Sequence, residues 1–255
     1  MTSTATEAKT ARFDWGGFIK KYAIVGILIL FIIIMTILSE GSFIQPSNLI
    51  NVVNQIAPIG IIATGMTFVI IINGIDLSVG SIVAMSAVVS ASLAQLPTAP
   101  KLLFPGLQGL PIIVALLAGL GIGALLGAIN GGLVAGFGIP PFIATLGMMT
   151  AARGAANIYA DNGRPVSYLT PEFNFLGSGD FLFIPMPIFL LLLVGVVAHF
   201  ALNYTRFGRH TYALGGNEQA ARVSGINIKM LTLGIFTLSG FLAGLAGMVL
   251  AARVQ

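Results

Sequence analysis

Seven long apolar segments constrain this chain more than any other feature. They lie at residues 22–39, 55–72, 78–96, 111–130, 139–160, 185–203 and 231–251. A helix needs about 20 mostly apolar residues to cross a bilayer, and each segment comes close to that length. Membrane-spanning strands are about ten residues long and alternate in polarity, which these continuous runs do not. We therefore predict an all-α polytopic transmembrane helical bundle with about seven spans.

Composition excludes the main soluble classes of protein. Only 8% of the residues are charged and the mean hydropathy is +0.99, whereas soluble domains carry about 25% charged residues. The chain has no cysteine, which excludes disulfides and a cysteine nucleophile. Its two histidines have no carboxylate cluster nearby, so we predict no metal site and no catalytic residues.

The distribution of basic residues predicts the orientation in the membrane. With the N-terminus in the cytoplasm, residues 1–21 form a cytoplasmic tail and residues 22–255 a transmembrane domain with a cytoplasmic loop at 204–230. Eight basic residues then face the cytoplasm: Lys9, Arg12, Lys20, Lys21, Arg206, Arg209, Arg222 and Lys229. This bias follows the positive-inside rule, so the net charge of +4 does not call for a nucleic-acid partner.

Glycines repeat every four residues within the fourth segment. Gly119, Gly123, Gly127 and Gly131 fall on nearly one face of a helix, and Gly240 and Gly244 repeat the spacing in the last segment. A face without side chains lets another helix approach closely. The spacing favours plain packing and leaves open a surface that slides during transport.

The stretch NGIDLSVGS at 73–81 interrupts the apolar pattern between the second and third segments. Asp76 is the only acidic residue between Glu40 and Asp161, and a carboxylate near lipid needs a partner or water. It fits either a capping residue at the interface or a discontinuous helix that lines a path. Nearby neutral polar side chains suit a polyhydroxylated solute, and the predicted pathway residues are Asn73, Asp76, Ser78, Ser81, Thr64 and Thr67.

The loop at 204–230 contains a predicted capped helix of about two turns. Gly215 and Gly216 break the chain, Asn217 is a good N-cap, and Gly225 can end the helix. Such a helix either connects two spans or inserts into the groove of a partner. The chain has no G-x-x-x-x-G-K-[ST] phosphate loop and no series of membrane carboxylates, so uphill transport would draw its energy from another subunit.

Several blocks together resemble the membrane permeases of ribose-type monosaccharide ABC importers of bacteria. The blocks occur in order from about residue 40 to the C-terminus, and each block alone is weak evidence for the family. The blocks are NGIDLSVGS at 73–81, GIPPFIATLG at 138–147, RG at 153–154, GRPV at 163–166, GR at 208–209, YALGGNE at 212–218, AAR at 220–222 and SGI at 224–226.

The resemblance implies a multi-pass permease of the bacterial inner membrane. Its partners would be a second permease copy (a homodimer), membrane lipid, a cytoplasmic ATPase that binds the ATP, and an external sugar-binding protein, with no cofactor in this chain. The loop would be the coupling helix, with Gly216, Asn217, Glu218, Ala221, Arg222 and Gly225 as ATPase-coupling residues. Family members continue beyond the position of Gln255 with further spans, so we expect a truncated chain.

Two other functions stay open at this point. Asp76 could serve an ion- or proton-coupled secondary transporter, and the early end allows an inactive membrane fragment. The sequence does not identify the sugar, because pentose, hexose and polyol permeases look alike at this level.

Overall fold

The computed structural model describes residues 15–107 and 109–254, and within them the chain is almost entirely helical. Of the predicted tail at 1–21, residues 1–14 lie outside the described residues, and residues 15–21 already belong to the first helix, which begins at Trp15. Seven long helices occupy the seven predicted segments: α1 Trp15–Leu38, α2 Pro46–Ile71, α3 Val79–Leu93, α4 Ile112–Phe137, α5 Pro141–Tyr159, α7 Met186–Tyr204 and α10 Ile228–Arg253. Three shorter helices join them: α6 Pro171–Ser178, α8 Arg206–Gly216 and α9 Glu218–Val223.

Five of the described helices are long and apolar enough to cross a membrane: α1, α2, α4, α7 and α10. Helix α3 has 15 residues, or about 22 Å, which is shorter than the hydrocarbon core. Helix α5 has 19 residues, but polar side chains such as Arg153 lower its hydropathy. The all-α membrane fold is confirmed, while the number of spans and the orientation stay predictions.

The chain divides into two units, one ending at Val52 and the other beginning at Val53. The first contains α1, a 3-10 turn at Ser42–Ile44 and the start of α2. Pro46 occupies the first turn of α2, where a missing N–H costs nothing. Pro58 lies inside α2, which continues through it.

In the second unit, α10 is the most buried of the candidate spans, with 67% of its apolar window enclosed. It contributes to three apolar clusters, which include Met248, Phe236 and Val249 respectively. Helices α4 and α3 pack along it. The core of this unit is therefore built around a single helix near the C-terminal end of the described chain.

Glycines set the distance between α4 and α10. A Cβ on Gly127 would overlap the carbonyl oxygen of Phe236, and a Cβ on Gly123 would overlap that of Gly240. The predicted glycine face thus packs backbone against backbone, which dispersion and close dipole contacts stabilise.

The connection after α3 and the connection after α5 contact one another. After α3, Leu96 N–H donates to Tyr168 O at 2.8 Å, which joins this connection to the one after α5. Gln95, 5% exposed, reinforces the junction by bonding backbone groups of both connections. Which side of the membrane this junction occupies stays a prediction.

The connection between α5 and α7 contains regular secondary structure. It holds α6 and a two-stranded antiparallel hairpin, β1 Asp180–Phe181 and β2 Ile184–Pro185. Leu182 and Phe183 form the turn with φ angles of 49° and 67°. Two positive φ values at the centre of a two-residue turn match the twist of a hairpin, but Leu and Phe adopt them with strain.

Candidate transport and coupling sites

The connection between α2 and α3 forms the first site. Helix α2 ends at Ile71, and α3 begins at Val79 after an N-cap at Ser78. Asn73 has a φ of 58°, a left-handed conformation that asparagine tolerates better than most residues. The interruption predicted at 73–81 is therefore confirmed as a seven-residue break, 72–78, between two helices.

Asp76 stabilises the start of α3 by hydrogen bonds. It is 2% exposed, and its Oδ1 accepts hydrogen bonds from the Ser78 N–H at 2.9 Å and the Ser78 hydroxyl at 2.5 Å. Its Oδ2 lies 3.5 Å from the Ser239 hydroxyl of α10, which donates to it. The capping interpretation of Asp76 thus describes its local contacts, but the residue lies inside the protein and not at an exposed interface.

Two further helices hold the same break. Asn130 of α4 is fully buried and donates from Nδ2 to Ser78 Oγ at 2.8 Å. The Thr145 hydroxyl of α5 accepts from the Leu77 N–H at 3.2 Å and lies 3.2 Å from Ile75 O. Side chains from α4, α5 and α10 therefore fix one non-helical segment.

Sequence reasoning did not single out Asn130, Thr145 or Ser239. Asn130 carried a usable signal, since it is an amide within the otherwise apolar α4, and polar residues in membrane helices usually bond across helices. Thr145 and Ser239 carried none, because hydroxyls are common in packed helices. Their partners lie 70 and 163 residues away in sequence.

The six predicted pathway residues do not line one common space. Asp76, Ser78 and Ser81 are buried inside the chain. Thr64 and Thr67 donate to carbonyls one turn back in α2, at 2.9 and 2.8 Å, and Thr67 is exposed. Asn73 instead faces a cavity of about 400 Å³ whose walls include Gly216, Asn217 and Glu218. Their role in a sugar path stays a prediction.

The predicted helix in the 204–230 loop is present as α9. Asn217 Oδ1 accepts from the Ala220 N–H at 2.9 Å, as an N-cap should, and Gly225 ends the turn with a φ of 81°. Glu218 and Arg222 form an exposed ion pair at 2.9 Å, one helical turn apart. Ala221 is buried, so the small helix packs by one face and presents charge on the other.

Sequence reasoning missed α8, which precedes α9. Thr205 caps it by accepting from the Gly208 N–H at 3.2 Å, and its buried residues, Gly208, Thr211 and Leu214, recur every third position. That cap and spacing were the available signal. Gly215 and Gly216, predicted to break the chain, are the last two residues of α8.

Beside α9 lies a cavity of about 620 Å³. Its walls include the end of α4 around Gly138, the charged side chains Glu218, Arg222 and Lys229, and Thr232 of α10. Among the described residues there is no cluster of three or more acidic or histidine side chains that could hold a metal ion. The charged side chains of α9 and of the start of α10 thus line a cavity of mixed charge.

Opposite charges meet at the junction of the connections after α3 and α5. Asp161 lies 2.6 Å from Lys101 Nζ and 3.4 Å from Arg164. The hydrogen bond from Lys101, and then the charges of Lys101 and Arg164, lower the pKa of Asp161 below its ordinary value of 3.8. All three side chains are about half exposed, so water screens the attraction.

Comparison of the sequence with known proteins identifies a family. Residues 48–255 match the family described as "Branched-chain amino acid transport system / permease component". The ribose import permease protein of Bacillus subtilis is 41% identical over 252 residues, covering 98% of this chain and 73% of the relative. The corresponding protein of Haemophilus influenzae is 39% identical, covering 97% of this chain and 73% of the relative.

The D-allose transport system permease protein of Escherichia coli is 36% identical over 254 residues, covering all of this chain and 74% of the relative. The chain thus spans about three quarters of the length of these relatives. No solved structure matches. Because the family model covers most of the sequence and the described helices fit a multi-pass protein, the chain belongs to this family of membrane permease components.

Proposed function

We propose that the chain is the permease subunit of an ATP-driven importer that moves a monosaccharide across the bacterial inner membrane. The observation that carries this function is the identity of 36–41% with ribose and D-allose permeases over nearly the whole chain. The break at 72–78 and the capped α9 support this function as a segment for the path and an element for the partner contact. A transport subunit of this kind is not itself an enzyme.

We assign α9 to the contact with a cytoplasmic ATPase, which would bind the ATP. Glu218 and Arg222 are 59% and 70% exposed, Asn217 caps the N-terminus of the helix, and Ala221 is buried on its other face. A rigid, charged element next to a groove suits insertion into a partner. Closure of the ATPase would then shift α9 as a rigid body.

We assign the face opposite α9 to contact with a sugar-binding protein. We assign the membrane-facing side to contact with lipid and with a second copy of the chain. The exposed face of α2 includes Thr67, whose hydroxyl is a polar group in an apolar stripe that also contains Ile59 and Ile70. A homodimer that buries this face would bring Thr67 of each copy to the path between them. The same arrangement leaves Asp76 and Ser78 as supports of the path.

An ion-coupled mechanism through Asp76 has less support. Both carboxylate oxygens of Asp76 already take hydrogen bonds from Ser78 and Ser239. The relatives that match nearly the whole chain are sugar permeases, which favours the ATP-driven importer.

Uptake in a permease-deficient bacterium tests the proposed function. The chain is expressed with the ATPase and sugar-binding subunits, and uptake of labelled ribose, allose and fructose is measured. We expect uptake of at least one sugar that stops when the ATPase is inactivated and survives collapse of the ion gradients. Uptake that collapses with the gradients, or no uptake by the assembled importer, would contradict the proposal.

Charge reversal tests the assignment of α9. Glu218→Arg should weaken ATPase binding by about tenfold, or ~1.4 kcal/mol, because it reverses one charge in the contact. Glu172→Arg, an equal change in the first turn of α6, is the matched control and should leave binding unchanged. The double exchange E218R/R222E restores an ion pair within α9; if it also restores binding, the effect is internal to the helix and the assignment is wrong.

A further inference from the structure

The side chain of Asn73 joins the two sites described above. Its Nδ2 donates to the carbonyl oxygen of Gly215 at 2.9 Å, across 142 positions of sequence. Asn73 lies in the break after α2, and Gly215 lies in the last turn of α8. One hydrogen bond therefore connects the segment that carries Asp76 to the segment that carries α9.

The backbone reinforces this connection. A Cβ on Gly215 would overlap the carbonyl oxygen of Ile71, the last residue of α2. The end of α8 therefore rests directly on the end of α2, with no flexible side chain between them. Only Gly216 separates Gly215 from Asn217, which caps α9.

Hydrogen bonds also hold the end of the break that leads into α3. Asp76 binds Ser78 and Ser239, while Thr145 and Asn130 bind the break or its cap from α5 and α4. Movement at Gly215 therefore has a continuous bonded route through 72–78 into three packed helices. Coupling between distant sites uses bonded, packed elements of this kind.

We propose that Asn73 is a positioning residue for coupling: its bond to Gly215 transmits displacement of α8 and α9 to the break between α2 and α3. This role rests on the proposed function, in which an ATPase moves α9. It is an alternative to the predicted role of Asn73 as a residue of the sugar pathway. A purely structural role would be to stabilise the left-handed turn at the end of α2.

Asn73→Gly separates these two roles. Glycine adopts a φ of 58° without strain, so the variant removes the amide and keeps the backbone conformation. Asn162→Gly is the matched control, because Asn162 is also exposed, has a φ of 66° and precedes a glycine, but lies at the other junction. Asn73→Asp retains the shape and cannot donate to a carbonyl, so it should behave like Asn73→Gly.

The complete importer in proteoliposomes provides the measurement. At equal amounts of assembled importer, Asn73→Gly should lower the number of sugars moved per ATP hydrolysed at least fivefold while ATP hydrolysis continues. Asn162→Gly should leave this ratio unchanged. An unchanged ratio in both Asn73 variants would overturn the coupling role.

Hydrogen exchange gives a second readout that does not depend on sugar transport. Addition of the ATPase with ATP should change exchange at residues 72–78 in the original chain and leave it unchanged in Asn73→Gly. An identical response in both proteins would overturn the coupling role alone. Absence of ATP-dependent uptake by the original chain would instead overturn the proposed function, and the coupling role with it.

Discussion

The α4–α10 interface and the α2–α3 break hold the second unit together by opposite means. Along α4, glycines let the backbone of α10 approach until a single added carbon would overlap it. At the break, the backbone leaves the helix and side chains from other helices satisfy its polar groups. The first contact has almost no rotatable groups, whereas the second depends on a few hydrogen bonds.

The comparison indicates where the molecule is able to change shape. Packed backbones have no alternative side-chain arrangement, so α4 and α10 should move as one body. Hydrogen bonds of about 1 kcal/mol each can exchange partners during a cycle. The break is therefore the more suitable place for a conformational change, and the following substitutions test the difference.

The largest effect should come from filling the glycine interface. Gly127→Leu places a side chain where the Phe236 carbonyl lies, and overpacking of this kind should destabilise the fold by about 3 kcal/mol or more. Gly121→Leu is the matched control on the same helix, because a Cβ there meets nothing within 4 Å. Thermal unfolding in detergent checks both variants, and equal stability would contradict backbone packing between α4 and α10.

Removing the carboxylate at the break should have the next largest effect. Asp76→Ala leaves the buried Ser78 and Ser239 hydroxyls without their acceptor, which should cost about 2–3 kcal/mol. Asp76→Asn retains one acceptor oxygen for Ser78 and should lose roughly half as much. Denaturant unfolding measures the series; Asp180→Ala, an exposed site, serves as the control, and a loss no greater than this control would contradict the role of Asp76.

Removing the Thr145 hydroxyl of α5 should lower the stability by a smaller amount. Thr145→Val keeps the shape of a fully buried side chain and deprives the Leu77 N–H of its acceptor, at a cost of about 1 kcal/mol. Thr150→Val changes the same residue type at an exposed position of the same helix and should be nearly neutral. If both variants unfold at the same denaturant concentration, α5 does not hold the break.

The smallest effect concerns the exposed charges of Asp161, Lys101 and Arg164. Because the folded protein lowers the pKa of Asp161, its ion pairs contribute stability above the ordinary pKa of an aspartate. That contribution disappears as the pH falls through the lowered pKa. The difference in stability between the original chain and Asp161→Asn should therefore be constant from about pH 5 to 7, vanish in acid and shrink in salt. A difference independent of both pH and salt would show that the charges are not its source.

The sequence predicted those features that depend on local patterns. Apolar length located the seven long helices, the spacing of Gly119 to Gly131 identified the packed face, and Asn217 marked the cap of α9. Each of these depends on residues within a few turns of one another. Helix boundaries were less accurate, since α2 begins at Pro46 and not near residue 55.

What the sequence did not predict depends on contacts between distant residues. Asp76 was identified, but its partner Ser239 follows 163 residues later, and no periodicity links them. Asn73 was predicted as a pathway residue because it is polar and lies three residues before Asp76, and its bond to Gly215, 142 residues away, had no signal in the sequence. Helix α6 was missed because its eight residues carry little periodicity, whereas α8 was missed although its Thr205 cap and the spacing of its buried residues were available as signals.

The turn of the β1–β2 hairpin provides a site for chemical labelling. Phe183 is fully exposed at the tip, its side chain supports no core cluster, and the chain contains no cysteine. Phe183→Cys would therefore give the protein a single thiol on a short, rigid projection beside the start of α7. A maleimide that cannot cross membranes would react with it in intact cells only if the hairpin faces outward, so one residue reports the orientation of the whole chain.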